Sequence, residues 1–143
     1  MLSSIKDKSV VVAGGSKGIG KGIAKVFAEQ GAKVTIVARG QEALENAKKE
    51  MKGNVNTAIC DVSDWESVKK MIDTTASNQG GIDIVCANAG IFPNTKIIEM
   101  EPSEWDHVLG ANLRSSFLIV KASIPYFEKS VGGRVILTSS ITG

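Results

Sequence analysis

Residues 9–21 place a short apolar strand, a glycine-rich turn and the start of a helix in direct succession. Val10, Val11 and Val12 form a β-branched run that predicts a buried strand. After the turn, apolar residues recur at helical spacing until a glycine that predicts the helix end. They are Ile19, Ile23, Val26 and Phe27, followed by Gly31. Because backbone N–H groups and a helix N-terminus converge on a phosphate in this arrangement, the segment predicts a nucleotide site.

The three glycines of the turn each have a physical reason to be there. Gly14, Gly18 and Gly20 have the spacing GxxxGxG rather than the commoner GxGxxG. Gly14 lets the chain leave the strand sharply, Gly18 lets the backbone approach a pyrophosphate, and Gly20 lets the helix pack closely on the strand. A glycine triplet alone also occurs in tight turns that bind nothing. The strand before it and the helix after it favour a dinucleotide site.

The same turn nearly matches a P-loop, whose pattern is GxxxxGK followed by Ser or Thr. Residues 15–21 fit the first seven positions, but the eighth position is Gly22. The hydroxyl at that position of a P-loop binds Mg²⁺. Since glycine has no hydroxyl, the sequence argues against a nucleotide triphosphatase.

Composition limits the classes of protein that fit. The 143 residues are 43% hydrophobic and 22% charged, which predicts one globular domain over residues 1–143. A net charge of +2 gives no reason to expect nucleic acid as a partner. No stretch approaches the roughly 18–20 apolar residues of a membrane span, so no membrane partner is expected. Cys60 and Cys86 fall on predicted strands roughly 14 Å apart, too far for a disulfide, which favours reduced thiols in a cytoplasmic protein.

Strand and helix patterns alternate along the rest of the chain. The four further strands are predicted at residues 33–38, 55–60, 82–87 and 134–138. Ser63 and Glu66 predict a capping box before one helix, and Ser103 is the predicted cap of a long last helix. Parallel strands joined by helices need right-handed crossovers. We therefore expect an α/β fold, a Rossmann-type doubly wound parallel sheet with five strands in the order 3-2-1-4-5.

The residues after the second strand indicate which dinucleotide to expect. An NAD site has an acidic residue about 20 positions past the glycines, which binds the ribose hydroxyls. This chain has Ala38 and Arg39 there. Arg39 and Lys17 could hold a 2′-phosphate from two sides, which favours NADP(H) over NAD(H). The alternative is that Arg39 is only an exposed loop residue.

Polar residues follow the third and fourth strands at the same edge of the sheet. Asp61 could accept a hydrogen bond from an adenine amino group or cap the next turn, and the sequence leaves both roles open. Asn88, at the start of Asn88-Ala89-Gly90, ends an apolar strand where ligands bind in open α/β sheets. It can also support the turn, and the two roles are compatible.

Five ordered motifs resemble those of the short-chain dehydrogenases/reductases. They are residues 13–20 (Ala-Gly-Gly-Ser-Lys-Gly-Ile-Gly), Asp61-Val62, Asn88-Ala89-Gly90, Asn112 in Ala-Asn-Leu, and Ser140 in Ser-Ser-Ile-Thr-Gly. The resemblance runs along the whole chain. Within that family, the chain looks most like the 3-oxoacyl-acyl-carrier-protein reductases. The resemblance implies an NADP(H)-dependent oxidoreductase that reduces a carbonyl by hydride transfer. It also implies a small-molecule carbonyl or alcohol substrate, and a homo-oligomer, dimer or tetramer, in the full-length form.

The resemblance implies a role for each motif. The implied cofactor-binding residues are Gly14, Ser16, Lys17, Gly18, Ile19, Gly20, Arg39, Asp61, Val62, Asn88, Ala89 and Gly90. Asn112 would shape the site and order a proton-relay water, and Ser140 would hydrogen-bond the substrate carbonyl. No metal site is implied. The single histidine, His107, is expected to have a surface or packing role.

The chain departs from the family pattern in two places. Ala13 stands where the family usually has Thr, which removes a hydroxyl that helps to fix the turn. The family's general acid is a Tyr about a dozen residues beyond the Ser, with a Lys four residues later. This chain ends at Gly143, and its only tyrosine, Tyr126, has Ser130 four residues on, so we expect Tyr126 to be a packing residue. We expect the 143 residues alone to be inactive, either as a piece of a longer oxidoreductase or as a truncated nucleotide-binding module.

Overall fold

Five parallel strands with helices on both faces make up the computed structural model, which describes residues 4–140. The strands are β1 (Ser9–Ala13), β2 (Lys33–Ala38), β3 (Asn54–Ile59), β4 (Ile84–Ala87) and β5 (Arg134–Leu137). The helices are α1 (Gly18–Glu29), α2 (Gln41–Lys49), α3 (Trp65–Gln79), α4 (Pro102–Leu109) and α5 (Ser115–Glu128). The sheet order is β3-β2-β1-β4-β5, and every pairing is parallel. The predicted Rossmann-type fold and strand order are confirmed.

Side chains alternate along β1 and enter two separate cores. Val11 and Ala13 pack with residues of α3 and α5, whereas Val10 and Val12 pack with residues of α1 and α2. Every residue of β1 is buried, as expected for the central strand of a parallel sheet covered on both faces. Among the helices within residues 4–140, none is long and apolar enough to cross a membrane.

The predicted cap of α3 is wrong by one residue. The helix begins at Trp65, and its N-cap is Asp64, whose Oδ2 accepts a hydrogen bond from the Ser67 N–H at 2.7 Å. Ser63 is instead engaged by Asp61, to which its N–H and hydroxyl both donate. Strand ends also differ from the predicted ones by one or two residues in β3, β4 and β5.

The long helix predicted after the fourth strand contains a π-helical turn. Its first part, α4, begins at Pro102 with Glu101 as N-cap, where Ser103 was predicted. Proline suits the first helical position because the N–H it lacks would have no partner there. A π-helical turn, Gly110–Arg114, then joins α4 to α5 and carries Asn112. Such turns inside helices are frequent at functional sites.

Both cysteines are free and buried, and three strand spacings separate them in the sheet. Burial raises the pKa of the Cys60 thiol and raises that of Cys86 to about 11. Because the thiolate is the reactive form, we expect Cys86 of the native protein to react with a disulfide reagent at pH 8 roughly 100-fold more slowly than in the urea-unfolded chain. Absorbance of the released thiol measures both rates. Similar rates before and after unfolding would contradict the burial.

Candidate functional site

A cleft of about 540 Å³ opens at the carboxyl edge of the sheet. Residues that follow all five strands line it, together with residues of α4 and of the π-helical turn. Ligands bind at this edge in open parallel sheets. All of the predicted cofactor-binding residues except Gly20 line the cleft, so the fold brings together side chains from four separate motifs. Gly20 is buried close by.

The shape of the glycine turn depends on positions where a side chain does not fit, among them Gly14 and Gly20. Gly14 has a φ of +72°, and a Cβ built on it would lie 3.0 Å from the Cα of Ala89. Its N–H donates to the Val37 carbonyl at 2.9 Å. A Cβ built on Gly20 would lie 2.7 Å from Asn88 Nδ2 and even nearer to the carbonyl oxygen of Gly14. This close packing holds the start of α1 against the ends of β1 and β4.

The N-terminus of α1 presents unpaired donors beside the cleft. Lys17 is the N-cap, and within α1, which the structure describes in full, no side chain caps the helix and no acidic residue occupies the first turn. The first N–H groups of a helix have no intrahelical partner and form the positive end of its dipole. Gly18 is exposed, and a Cβ built on it would have no atom within 4 Å. This end of the helix suits the phosphate predicted from the sequence.

Two exposed cations, Lys17 and Arg39, line the cleft after β1 and β2. Arg39 makes no hydrogen bond or ion pair with any residue of the described part of the chain. A nearby cation, Lys21, is held outside the cleft by Glu50, with 2.7 Å between Nζ and Oε2. Among the lining residues of the described chain, Asp61 is the only carboxylate, so the cleft carries a positive balance of charge.

Asp61 shapes the turn after β3 and keeps one carboxylate oxygen available. Its Oδ1 accepts from the N–H and the hydroxyl of Ser63 at 2.9 and 2.7 Å. These hydrogen bonds lower the pKa of Asp61, with smaller contributions from Arg39 and His107. The turn-capping role left open by the sequence is therefore present. Its Oδ2 accepts no hydrogen bond from residues 4–140, so an adenine amino group remains a compatible donor.

Asn88 ties the end of β4 to the end of β5. Its Oδ1 accepts from the hydroxyl of Thr138 at 2.9 Å, and the Thr138 N–H donates to the carbonyl of Ala87 at 3.2 Å. Asn88 therefore has a structural contact beyond its own turn, and its role toward a cofactor stays a prediction. Thr138 also lines the cleft, although the sequence indicated it only as the last residue of a strand.

Asn112 fastens the loop after β4 to the π-helical turn. Its Oδ1 accepts from the Ile91 N–H at 2.7 Å, and its Nδ2 donates to the Ile91 carbonyl at 2.8 Å. A Cβ on Gly90 would lie 3.1 Å from the same Oδ1, which leaves little room for a side chain there. Asn112 thus shapes the wall of the cleft without lining it. Its ordering of a water molecule stays a prediction.

Ser140 is exposed in the segment that follows β5, two residues beyond the cleft-lining Thr138. Its contact with a substrate carbonyl stays a prediction. The last three residues of its motif, 141–143, lie outside the described residues.

The only tyrosine is committed to holding two helices together. The Tyr126 hydroxyl donates to Asp73 Oδ1 at 2.7 Å, which joins α5 to α3, and its ring packs against the core. The hydrogen bond to Asp73 raises the pKa of Tyr126. The Lys129 ammonium lies 5.8 Å from the ring centre. Tyr126 is therefore the packing residue expected from the sequence, and it does not line the cleft.

Some residues that line the cleft were not predicted to do so from the sequence. The main ones are Ser63, Ile91, His107, Ala111 and Thr138. His107 was expected at the surface or in packing; it is exposed, and it lines the cleft with Ala111, one helical turn away. The one sequence signal for His107 and Ala111 was that they lie within a few residues of Asn112.

Known proteins resemble the chain in sequence and in structure. Residues 8–143 match the family described as short chain dehydrogenase. The chain is 36% identical to the 3-oxoacyl-[acyl-carrier-protein] reductase FabG of Chlamydia muridarum, over 100% of this chain and 59% of that protein. It is 34% identical to an uncharacterized oxidoreductase of Listeria monocytogenes, over 98% of this chain and 58% of that protein.

A solved structure shows the same fold. A short-chain type dehydrogenase/reductase from Mycobacterium marinum matches with a TM-score of 0.93 and 32% identity, over 98% of this chain and 58% of that one. The chain thus spans less than two thirds of the length of each of these three proteins. Because the match runs through the glycine turn and every strand of the sheet, the chain belongs to the short-chain dehydrogenase family, a family of oxidoreductases.

Proposed function

We propose that this protein is an NADP(H)-dependent oxidoreductase that transfers hydride to a carbonyl, a 3-oxoacyl group or a similar ketone. Residues 1–143 would form its dinucleotide-binding domain. The observation that carries the cofactor proposal is Arg39, an exposed cation directly after β2, at the position where an NAD site has a carboxylate. The name of the Chlamydia muridarum relative supports the substrate class.

The residues at the cleft fit a dinucleotide. A volume of about 540 Å³ is within the usual range for cofactor sites. The N–H groups at the start of α1 would hold the pyrophosphate, with Gly18 allowing its close approach. Lys17 and Arg39 would hold the 2′-phosphate, and Asp61 Oδ2 would accept from the adenine amino group. NADPH supplies a hydride when it is bound.

At the other end of the cleft, the proposed reaction would use the loops after β4 and β5. Asn112 holds the loop after β4 through Ile91, which would keep that wall in place as a substrate enters. Ser140 would donate a hydrogen bond to the substrate carbonyl. A general acid typically contributes 10²–10⁴-fold to such a reaction. Because Tyr126 is engaged by Asp73, we expect no such acid from these 143 residues, and no turnover by them alone.

A nucleotide-binding module without catalysis is the second candidate. This candidate is favoured because the hydroxyl of the only tyrosine bonds to Asp73 in the contact between α3 and α5. A continuation of the reading frame that encodes Tyr-x-x-x-Lys would favour the oxidoreductase, and a frame without that motif would favour the module.

Titration of the purified 143-residue chain tests the cofactor proposal. We expect NADPH to bind at least about tenfold more tightly than NADH, because only NADPH carries the phosphate that Arg39 and Lys17 would hold. Nicotinamide fluorescence or calorimetry measures both affinities. With a 3-oxoacyl thioester present, absorbance at 340 nm should not fall faster than in a protein-free control. Absence of NADPH binding would remove the cofactor proposal, and steady turnover would contradict the expected inactivity.

A further inference from the structure

The side chain of His107 lies at the cleft and does not stabilise the fold. It is the only histidine of the chain, it is exposed, and it lines the cleft from α4. Its imidazole makes no hydrogen bond and no ion pair with any of residues 4–140. It is also absent from both buried cores. A planar side chain that neither packs in the core nor bonds to the fold is available to a ligand.

The helix that carries His107 is fixed against the turn after β3. Arg114, seven residues further on, donates its Nη1 to the Ser63 carbonyl at 3.1 Å. Gly110 lies against the same residue, since a Cβ built on it would be 3.8 Å from the Cβ of Ser63. Gly110, Ala111 and Arg114 lie three, four and seven residues beyond His107. Residues at these spacings share one side of a helix, and that side faces the turn after β3. His107 is thus held in position by its backbone and not by its own side chain.

His107 belongs to the end of the cleft nearest β3. Arg39 and His107 both act electrostatically on the carboxylate of Asp61, which lies two residues beyond the end of β3. The sheet order puts β3 and β2 at one end and β4 and β5 at the other. In the proposed function, the β3 end is the one that holds adenosine.

We propose that the imidazole of His107 packs against the adenine base of the bound dinucleotide and so closes the cleft at its β3 end. This inference rests on the proposed function. A purine is the ligand part that fits, because a flat aromatic ring stacks on an exposed planar side chain without requiring a particular hydrogen bond. The base would then lie between His107 on α4 and the turn after β3, where Asp61 and Val62 line the cleft.

Binding of the two halves of the cofactor distinguishes a contact of His107 with adenine from a general effect of His107 on the fold. Calorimetry with 2′,5′-ADP, which carries the base and the 2′-phosphate, is compared with nicotinamide mononucleotide, which lacks both. We expect His107→Ala to weaken 2′,5′-ADP about tenfold, as for loss of a base–aromatic stack, and to leave the mononucleotide within twofold. His107→Phe, which keeps a ring, should bind 2′,5′-ADP within threefold of the wild type. Ser103→Ala, on the same helix and outside the cleft, is the matched control and should change neither affinity.

The outcomes distinguish this inference from the function on which it rests. If the wild-type protein binds no 2′,5′-ADP, the proposed function fails, and the inference fails with it. If the wild type binds but His107→Ala binds equally well, only the inference is overturned. An equal loss for both cofactor halves also overturns it, because His107 would then act through the fold. His107→Gln, which loses the ring but keeps a polar chain, replaces the alanine variant should thermal unfolding show that variant to be unfolded.

Discussion

Replacing Gly20 by alanine is expected to lower the free energy of unfolding by about 2 kcal/mol and to weaken NADPH binding below detection. The added Cβ would meet the carbonyl oxygen of Gly14 and would lie 2.7 Å from Asn88 Nδ2. A backbone carbonyl cannot swing aside as the end of a flexible side chain can, so the start of α1 has to move away from β1. That movement would displace the turn that forms the proposed pyrophosphate site. Urea denaturation and NADPH titration measure the two effects.

The same helix offers a matched control at Gly22. This residue is exposed two positions further along α1, and a Cβ built on it would have no atom within 4 Å. Gly22→Ala is expected to raise the free energy of unfolding by up to about 1 kcal/mol, because alanine is the better helix former. The two variants therefore shift stability in opposite directions. A Gly20→Ala protein as stable as the wild type would show that the start of α1 is not tightly packed.

Arg39→Asp is expected to weaken NADPH binding about 100-fold while NADH binding stays equal or improves. The guanidinium would no longer pair with the 2′-phosphate, and the new carboxylate would repel it. A 100-fold loss corresponds to about 2.7 kcal/mol, within the range expected for a charge-assisted hydrogen bond. Calorimetric titration of both cofactors at one salt concentration measures the change in preference.

Lys21→Gln provides the control for a general effect of charge. Lys21 is a cation of the same region, but it is paired with Glu50 and does not line the cleft. Its replacement should change NADPH affinity by less than about threefold, the scale of a partly exposed ion pair. If Arg39→Asp weakened NADH as much as NADPH, the assignment of Arg39 to the 2′-phosphate would be wrong.

Local patterns were sufficient for the sheet and for most of the glycine turn. The valines of β1 alternate between two cores because side chains of a strand point to opposite faces in turn. Parallel strands joined by helices leave few permitted orders, and the observed order is the predicted one. Helix caps were harder, because several polar residues stand together before α3. Asp64 caps that helix while Ser63 bonds to Asp61, and the local sequence contains acceptable caps at each of these positions.

The sequence by itself determined the succession of strands and helices, the turn that faces the carboxyl edge, and the cations placed there. These depend on periodicity, on glycine conformation and on the handedness of crossovers, all of which are local or general properties of a chain. Only the tertiary structure decided that Asn112 holds Ile91, that Asn88 holds Thr138, and that His107 reaches the cleft. Such partners are 21 or 50 residues apart along the chain. They meet because of strand register and helix packing, which no short stretch of sequence encodes.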